Sequence, residues 1–344
     1  MDALTTTHTL PEISRFADTY AAGDVFNEYR STKADNTLAA QGHDFTAFVE
    51  FLHTTGAQGV PGVDSFMTTP SAWSGISWGI VEAFKRYMLQ NGNSIATVNR
   101  RLATIKRYAR LANQAGVLSM EEATLIGGVR GYSGNAAKRI DERRAVTRVG
   151  LKKARNVSLT YEQADALIAA PDTATPQGRR DQLMLCLFIH HGFRVGEVAN
   201  LQIEWFNVKD RQIYVERGKT GISQLHELTN TTLAALHAYI NAGDCPETGI
   251  IWRRSSPNGK LTDAGMTPRS IRKRVKHIGE GVGIENLSPH DLRHYWATYW
   301  ADRAARGAIS LLQLQEAGGW SAGSLNMLRR YVDGRKIANQ GMNL

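Results

Sequence analysis

Cysteine is almost missing from this sequence. Cys186 and Cys245 are the two in 344 residues, and neither opens a paired zinc-ligand motif. A disulfide framework is excluded, and the chain reads as an intracellular, reduced protein. Long hydrophobic runs are missing too: none approaches the ~20 residues that span a bilayer. Met1 to Pro11 is polar, without the charged-then-apolar layout of a signal peptide. There are no internal repeats and no low-complexity segments. Gly127-Gly128 and Gly318-Gly319 are turn glycines, because neither belongs to a glycine run leading to a Lys, as a phosphate loop requires. Acidic surplus is also lacking. Lys plus Arg number 41 against 32 Asp plus Glu, a net +9, and the pI is near 9.6. That balance points to a polyanion, with DNA or RNA first and an anionic membrane second.

Apolar material is sufficient: at 42% hydrophobic residues the chain can build sizeable cores, which excludes full-length disorder. The length suggests about two domains. Residues 1–35 read as a polar, loosely held arm, with one weakly amphipathic stretch from Ile13 to Tyr20. Residues 36–127 read as helical. Phe45, Phe48, Val49 and Leu52 recur at three- and four-residue spacing, which predicts a helix from His43 to Thr54. Gly56 to Ser71 reads as a loop, and Ile80, Val81, Phe84, Tyr87 and Met88 mark a second helix. A third helix, N-capped by Ser94, runs from Ile95 to about Gly116. Val98, Leu102, Ile105, Tyr108 and Leu111 form its apolar stripe, while Arg100, Arg101, Lys106, Arg107 and Arg110 occupy the remaining surface. Charges so nearly of one sign favour a phosphate-facing helix over an ordinary solvated face.

Residues 128–157 read as an interdomain linker. Nine basic residues, Arg143, Arg144, Lys152 and Lys153 among them, stand against Asp141 and Glu142. The alternatives are a solubilising tether or a strap along a nucleic-acid backbone, and the concentration of charge favours the strap. From residue 158 to 344 the composition is that of a mixed domain. Thr160 with Gln163 makes a capping box, and Gln182 to His190 is apolar enough for a buried helix. Arg211 to Glu216 and Ile222 to Leu228 are strand-like around the turn Gly218-Lys219-Thr220-Gly221. Helices follow at Thr231–Asn241, Thr267–Gly281, Asp291–Ala305, Ile309–Ala317 and about Leu325–Asp333.

Several polar residues fit a purely structural reading poorly. Arg194 directly follows the apolar helix, with Glu197 one turn later. His290 and Arg293 share one side of the first turn of another helix, where the N-terminus itself attracts phosphate. In order, Gly-Phe-Arg194-Val-Gly-Glu197, the hairpin Lys219, His290-Asp-Leu-Arg293-His, Gly-Gly-Trp320 and Tyr331 resemble the active-site series of the tyrosine recombinases, the phage integrase family. Thr97-Val98-Asn99-Arg100-Arg101-Leu102 ahead of a basic helix is similar to that family's core-binding domain. The resemblance covers about residues 20–335.

The resemblance implies a mainly α fold with a small antiparallel β-sheet in the C-terminal domain. It implies a two-domain DNA clamp: a helical core-binding domain and a mixed α/β catalytic domain. It further implies Tyr331 as nucleophile, a 3′-phosphotyrosyl link and a free 5′-hydroxyl. Arg194 and Arg293 then stabilise the non-bridging oxygens, His290 bonds the phosphate or moves a proton, Lys219 protonates the leaving oxygen, and Glu197 orients its neighbours. Trp320 stands where His is commoner, and an indole N–H donates a hydrogen bond but shuttles no proton. Ser223, Gln224 and Leu225 follow the hairpin in place of the usual basic residues, so Lys260 is the fallback acid. No metal and no cofactor are expected, since His290 and His294 flank an Arg and lack a ligating Glu between them. The expected partner is double-stranded DNA with inverted-repeat sites, bound by a homotetramer without membrane involvement, in a cytoplasmic protein associated with the nucleoid. A type IB topoisomerase-like nicking-closing enzyme and a helical DNA-binding regulator are the alternatives.

Overall fold

The structure is a computed structural model that describes residues 9–147, 156–218, 221–256 and 258–321. Lys219, Tyr331, Lys152, Lys153 and the helix expected at 325–333 lie outside the described residues. The chain divides into two compact units, Met1–Lys152 and Lys153–Leu344. The division falls inside the segment read as a linker.

The first unit is helical: α1 (Leu10–Ser31), α2 (Asp35–Thr54), α3 (Val63–Thr68), α4 (Trp78–Gln90), α5 (Ile95–Gln114), α6 (Met120–Gly128) and α7 (Gly134–Glu142). Its core is aromatic. Phe45 lies between Phe66, stacked at 5.8 Å, and Tyr108, edge-on at 5.0 Å, and each fully buried ring contributes about 1.5–3 kcal/mol. The third-helix reading holds locally: the Ser94 hydroxyl accepts from the Thr97 amide at 3.3 Å, and Val98, Leu102, Ile105 and Tyr108 are buried.

Two expectations for this unit are corrected. The described part of the segment read as a loose arm, from residue 9 on, is not one, because α1 occupies Leu10–Ser31 and its C-terminal half joins the core. Phe26 is 2% exposed and packs on Tyr108, while Leu10, Ile13, Phe16 and Tyr20 stay exposed. Only one end of the helix is buried, so its overall amphipathicity is weak. The segment Gly56 to Ser71 contains α3 and the start of a 3-10 turn, Pro70–Trp73, held by the Trp73 indole donating to the Phe66 carbonyl at 3.0 Å.

The second unit is built around α9 (Pro176–His191), whose stretch from Leu183 to Ile189 is buried on every side and apolar all round, while Arg180 and Asp181 are buried as an ion pair nearer its start. Packed with it are α8 (Tyr161–Ala169), α10 (Val195–Ala199), α11 (Asn230–Asn241) and α13 (Pro289–Ala305), with α12 (Pro268–Gly281) on α10 and α14 (Leu311–Ala317) on α13. The Thr160–Gln163 capping box is present. A three-stranded antiparallel sheet runs in the order β1 (Phe206–Asn207), β2 (Gln212–Arg217), β3 (Ile222–Glu227). Ile213, Val215 and Arg217 of β2 point inward by the two-residue period of a strand. The sequence reading missed a second antiparallel pair, β4 (Arg253–Ser255) with β5 (Leu261–Gly265). Lys260 therefore does follow a strand, at an exposed turn. Among the described residues no helix is long and apolar enough to cross a membrane.

Candidate active site

Arg194 is the N-cap residue of α10. A tight turn places it there: Gly192 ends α9 in the left-handed region, φ +64°, where a Cβ would collide with the Trp296 ring at 2.3 Å. The Arg194 amide donates to Glu197 Oε2 at 2.7 Å, and its Nη1 donates to Glu197 Oε1 at 2.6 Å. Nη2 donates to the Gly319 carbonyl at 3.3 Å.

Arg293 sits one turn into α13 and is buried. It donates to the Gly192 carbonyl and, at 2.7 Å, to the Gly318 carbonyl. Its guanidinium lies 4.9 Å from the centre of the Trp320 ring. Trp320 is buried and tilted against Trp296 at 6.0 Å. The turn Gly318-Gly319 thus receives both arginines through consecutive carbonyls and places Trp320 against one of them. His290 is exposed at the first turn of α13. The structure therefore brings Arg194, Glu197, Arg293 and Trp320 together, with His290 on the same helix as Arg293.

Three participants escaped the sequence reading. Arg217, with a fully buried side chain, donates to Glu197 Oε2 at 2.6 Å, to the Ala317 carbonyl at 2.7 Å and to Gln224 Oε1 at 3.0 Å. His226, on the neighbouring strand β3, meets Arg217 at 2.9 Å through Nε2. Asp291 is wholly buried: its Oδ2 accepts from the Ser288 amide and hydroxyl at 2.8 and 2.6 Å, and its Oδ1 from the Val157 amide at 2.9 Å. A charged residue at the inward position of β2, where Ile213 and Val215 predict an apolar one, was the available signal for Arg217.

Ionisation follows from these contacts. Burial opposes the Glu197 carboxylate, but Arg217 and Arg194 outweigh it and hold its carboxyl below the usual range. Burial, then Arg217, pushes His226 down to about 4, so it is neutral at physiological pH and accepts a hydrogen bond from the guanidinium. Burial likewise pushes His191 down to about 3, with its ring bonded to the Thr232 hydroxyl at 3.0 Å. Among the described residues no group of three His, Cys, Asp or Glu could hold a metal ion.

The basic residues of the first unit sort differently from the sequence reading. Arg100 pairs with the buried Asp44 at 2.6 Å, and Arg101 bonds Asn93 at 3.0 Å. Arg144 is turned inward, donating to the Asn93 carbonyl at 2.9 Å and to Leu89 at 3.3 Å, and pairing with Asp141. It is a structural anchor rather than part of a free strap. Burial lowers the Lys106 ammonium's affinity for its proton, with Lys85 adding to this. Arg100, for all its ion pair, is exposed, as are Arg107, Arg110 and Arg143.

The phage integrase family model matches residues 158–336. Tyrosine recombinase XerC of Chlamydia trachomatis is 27% identical over 218 residues, 62% of this chain and 61% of the relative. Tyrosine recombinase XerA of Pyrococcus horikoshii is 30% identical over 147 residues, 42% of this chain and 48% of the relative. The match spans about three fifths of the XerC relative's length. Among solved structures, the Tn1549 transposon integrase in complex with circular intermediate DNA aligns at a TM-score of 0.60 and 14% identity, covering 94% of this chain and 99% of that one. Lambda integrase bound to DNA aligns at 0.59 and 15% identity, covering 95% and 99%. These likenesses are of fold.

Proposed function

The chain belongs to the phage integrase family, and on that premise we propose that it is a site-specific recombinase that cuts and rejoins double-stranded DNA through a 3′-phosphotyrosyl intermediate at Tyr331. The observation that carries the reading is the meeting of Arg194 and Arg293 on the consecutive carbonyls of Gly319 and Gly318, beside Trp320. Two guanidiniums from distant helices, with the single carboxylate Glu197 between Arg194 and Arg217, leave a local excess of positive charge suited to a phosphate gaining charge in its transition state.

In this mechanism the Tyr331 phenol oxygen attacks the scissile phosphorus, and the bond to the 5′-oxygen breaks. Arg194 and Arg293 stabilise the non-bridging oxygens, and Trp320 packs against Arg293 and offers its indole N–H. Lys219 gives a proton to the leaving 5′-oxygen. His290, exposed beside the site, bonds the phosphate or takes the phenol proton. The phosphoryl bond is conserved on Tyr331, so the reverse attack by a 5′-hydroxyl reseals the strand without ATP. The substrate is duplex DNA carrying inverted repeats, paired by a homotetramer in the cytoplasm, with Arg107, Arg110 and Arg143 taking phosphates.

Covalent trapping tests this. Wild type should form a denaturant-resistant adduct with a nicked site, and Tyr331→Phe should bind but form none. An adduct with the Phe variant removes Tyr331 as nucleophile. Exchange between two sites on a plasmid, rather than relaxation alone, separates recombination from nicking and closing.

A further inference from the structure

Arg217 is a third guanidinium at this site. Its side chain is fully buried, so it touches no substrate. It is nevertheless bonded to the α10 and α14 sides of the pocket's scaffold. One nitrogen holds Glu197 Oε2 at 2.6 Å, while Glu197 Oε1 holds Arg194 at 2.6 Å. Another holds the carbonyl of Ala317, the residue that ends α14 and leads into the Gly318-Gly319-Trp320 turn, at 2.7 Å. The turn is shaped around it: a Cβ on Gly319, φ +57°, would lie 2.7 Å from Arg217 Nε. On the sheet side Arg217 is received by Gln224 and His226, and its guanidinium lies 5.3 Å from the Phe193 ring centre.

Charge gives this arrangement a consequence. Glu197 is one buried carboxylate between two guanidiniums. With Arg217 on one oxygen, the carboxylate orients Arg194 without cancelling the pocket's positive charge. Without Arg217 the same carboxylate faces Arg194 alone, and the pair becomes neutral overall. The Gly318-Gly319 turn, whose carbonyls receive Arg293 and Arg194, also loses its tie to β2.

We propose that Arg217 is a positioning residue for strand cleavage: by sharing Glu197 and holding the turn before Trp320, it keeps the charge of Arg194 available to the scissile phosphate. This rests on the reading of the pocket as a phosphate-activating site.

The test compares a normal scissile phosphodiester with a methylphosphonate, in which one charged non-bridging oxygen is replaced by a neutral methyl group. Less positive charge is needed on the second substrate. Single-turnover cleavage by wild type, Arg194→Ala, Arg217→Met and Arg217→Lys is measured on both, each variant relative to wild type. Because each preparation is compared with itself on two substrates, its folded fraction cancels. Arg217→Met should be slowed about 10²-fold on the phosphodiester, and that deficit should shrink at least about tenfold on the methylphosphonate, as for Arg194→Ala. Arg217→Lys, which keeps the charge but not the several bonds, should show a smaller deficit that also shrinks, and it decides the matter if the Met variant does not fold. Equal deficits on both substrates for the Arg217 variants, with Arg194→Ala relieved, would reduce Arg217 to a structural residue and overturn the proposal. No relief for Arg194→Ala would overturn the pocket reading, and Arg217's role with it.

Discussion

Asp291 joins Val157 to the helix that bears His290 and Arg293: one carboxylate oxygen accepts from the Val157 amide at 2.9 Å, while the other accepts from Ser288. The first described residues of the second unit are thereby tied to the N-terminus of α13. Asp291→Ala removes the carboxylate from both. It should destabilise the protein by about 2–3 kcal/mol, from the lost cap and a half-buried amide left without its acceptor. Urea unfolding measures this, and a change below ~0.5 kcal/mol would show that Asp291 ties nothing.

Lys219 is assigned as the acid, and the leaving group tests it. A 5′-bridging phosphorothiolate leaves as a thiolate that needs no proton. Lys219→Ala should be slowed ~10²–10⁴-fold on ordinary DNA and cleave the sulfur substrate nearly as fast as wild type. Equal defects on both substrates transfer the role to Lys260 or His290.

Arg144 and the exposed arginines should separate cleanly. Arg144→Ala breaks bonds to Leu89 and Asn93 and should cost about 1–3 kcal/mol of stability while leaving the salt dependence of DNA binding unchanged. Arg107→Ala with Arg110→Ala should leave the melting temperature nearly unchanged. It should make the slope of log K against log salt shallower by up to ~0.9 for each phosphate that is no longer neutralised. The opposite pattern would place Arg144 on DNA.

His226 gives the protein a pH dependence. Folded, it is pushed down to about 4, by burial first and by Arg217 next, with Glu197 acting in the other direction; unfolded, it titrates near 6.5. Between those values the unfolded chain takes up a proton that the folded chain refuses. Stability should therefore fall as pH drops from about 6.5 towards 4, by up to ~1.4 kcal/mol per pH unit from this group. Urea unfolding of His226→Gln at pH 7 and pH 5 should show a smaller loss than wild type. An identical loss would mean that His226 is protonated in the fold.

Activity should persist in excess chelator, since guanidiniums provide the charge in this mechanism. Cleavage lost in EDTA and restored by a divalent ion would contradict the assignment.

What the sequence determined by itself is the part written in neighbouring residues. The Ser94 cap, the stripe of α5, the Thr160–Gln163 box and the apolar helix before Arg194 depend on contacts one turn apart, so spacing alone reveals them. The spacing His290-Asp-Leu-Arg293 likewise places two functional side chains near one helix end. Only the tertiary structure decided where distant partners meet. That α2 brings the buried Asp44 to the exposed Arg100 was not legible in the spacing, nor that the carbonyls at the end of α4 receive Arg144. Weak local patterns also failed: α1 is buried at one end only, and β4 is three residues long. Arg217 shows the physical reason most clearly. Its role comes from a carboxylate on α10, a carbonyl at the end of α14 and an imidazole across the sheet, and a buried charge has meaning only through the partners that the fold assembles around it.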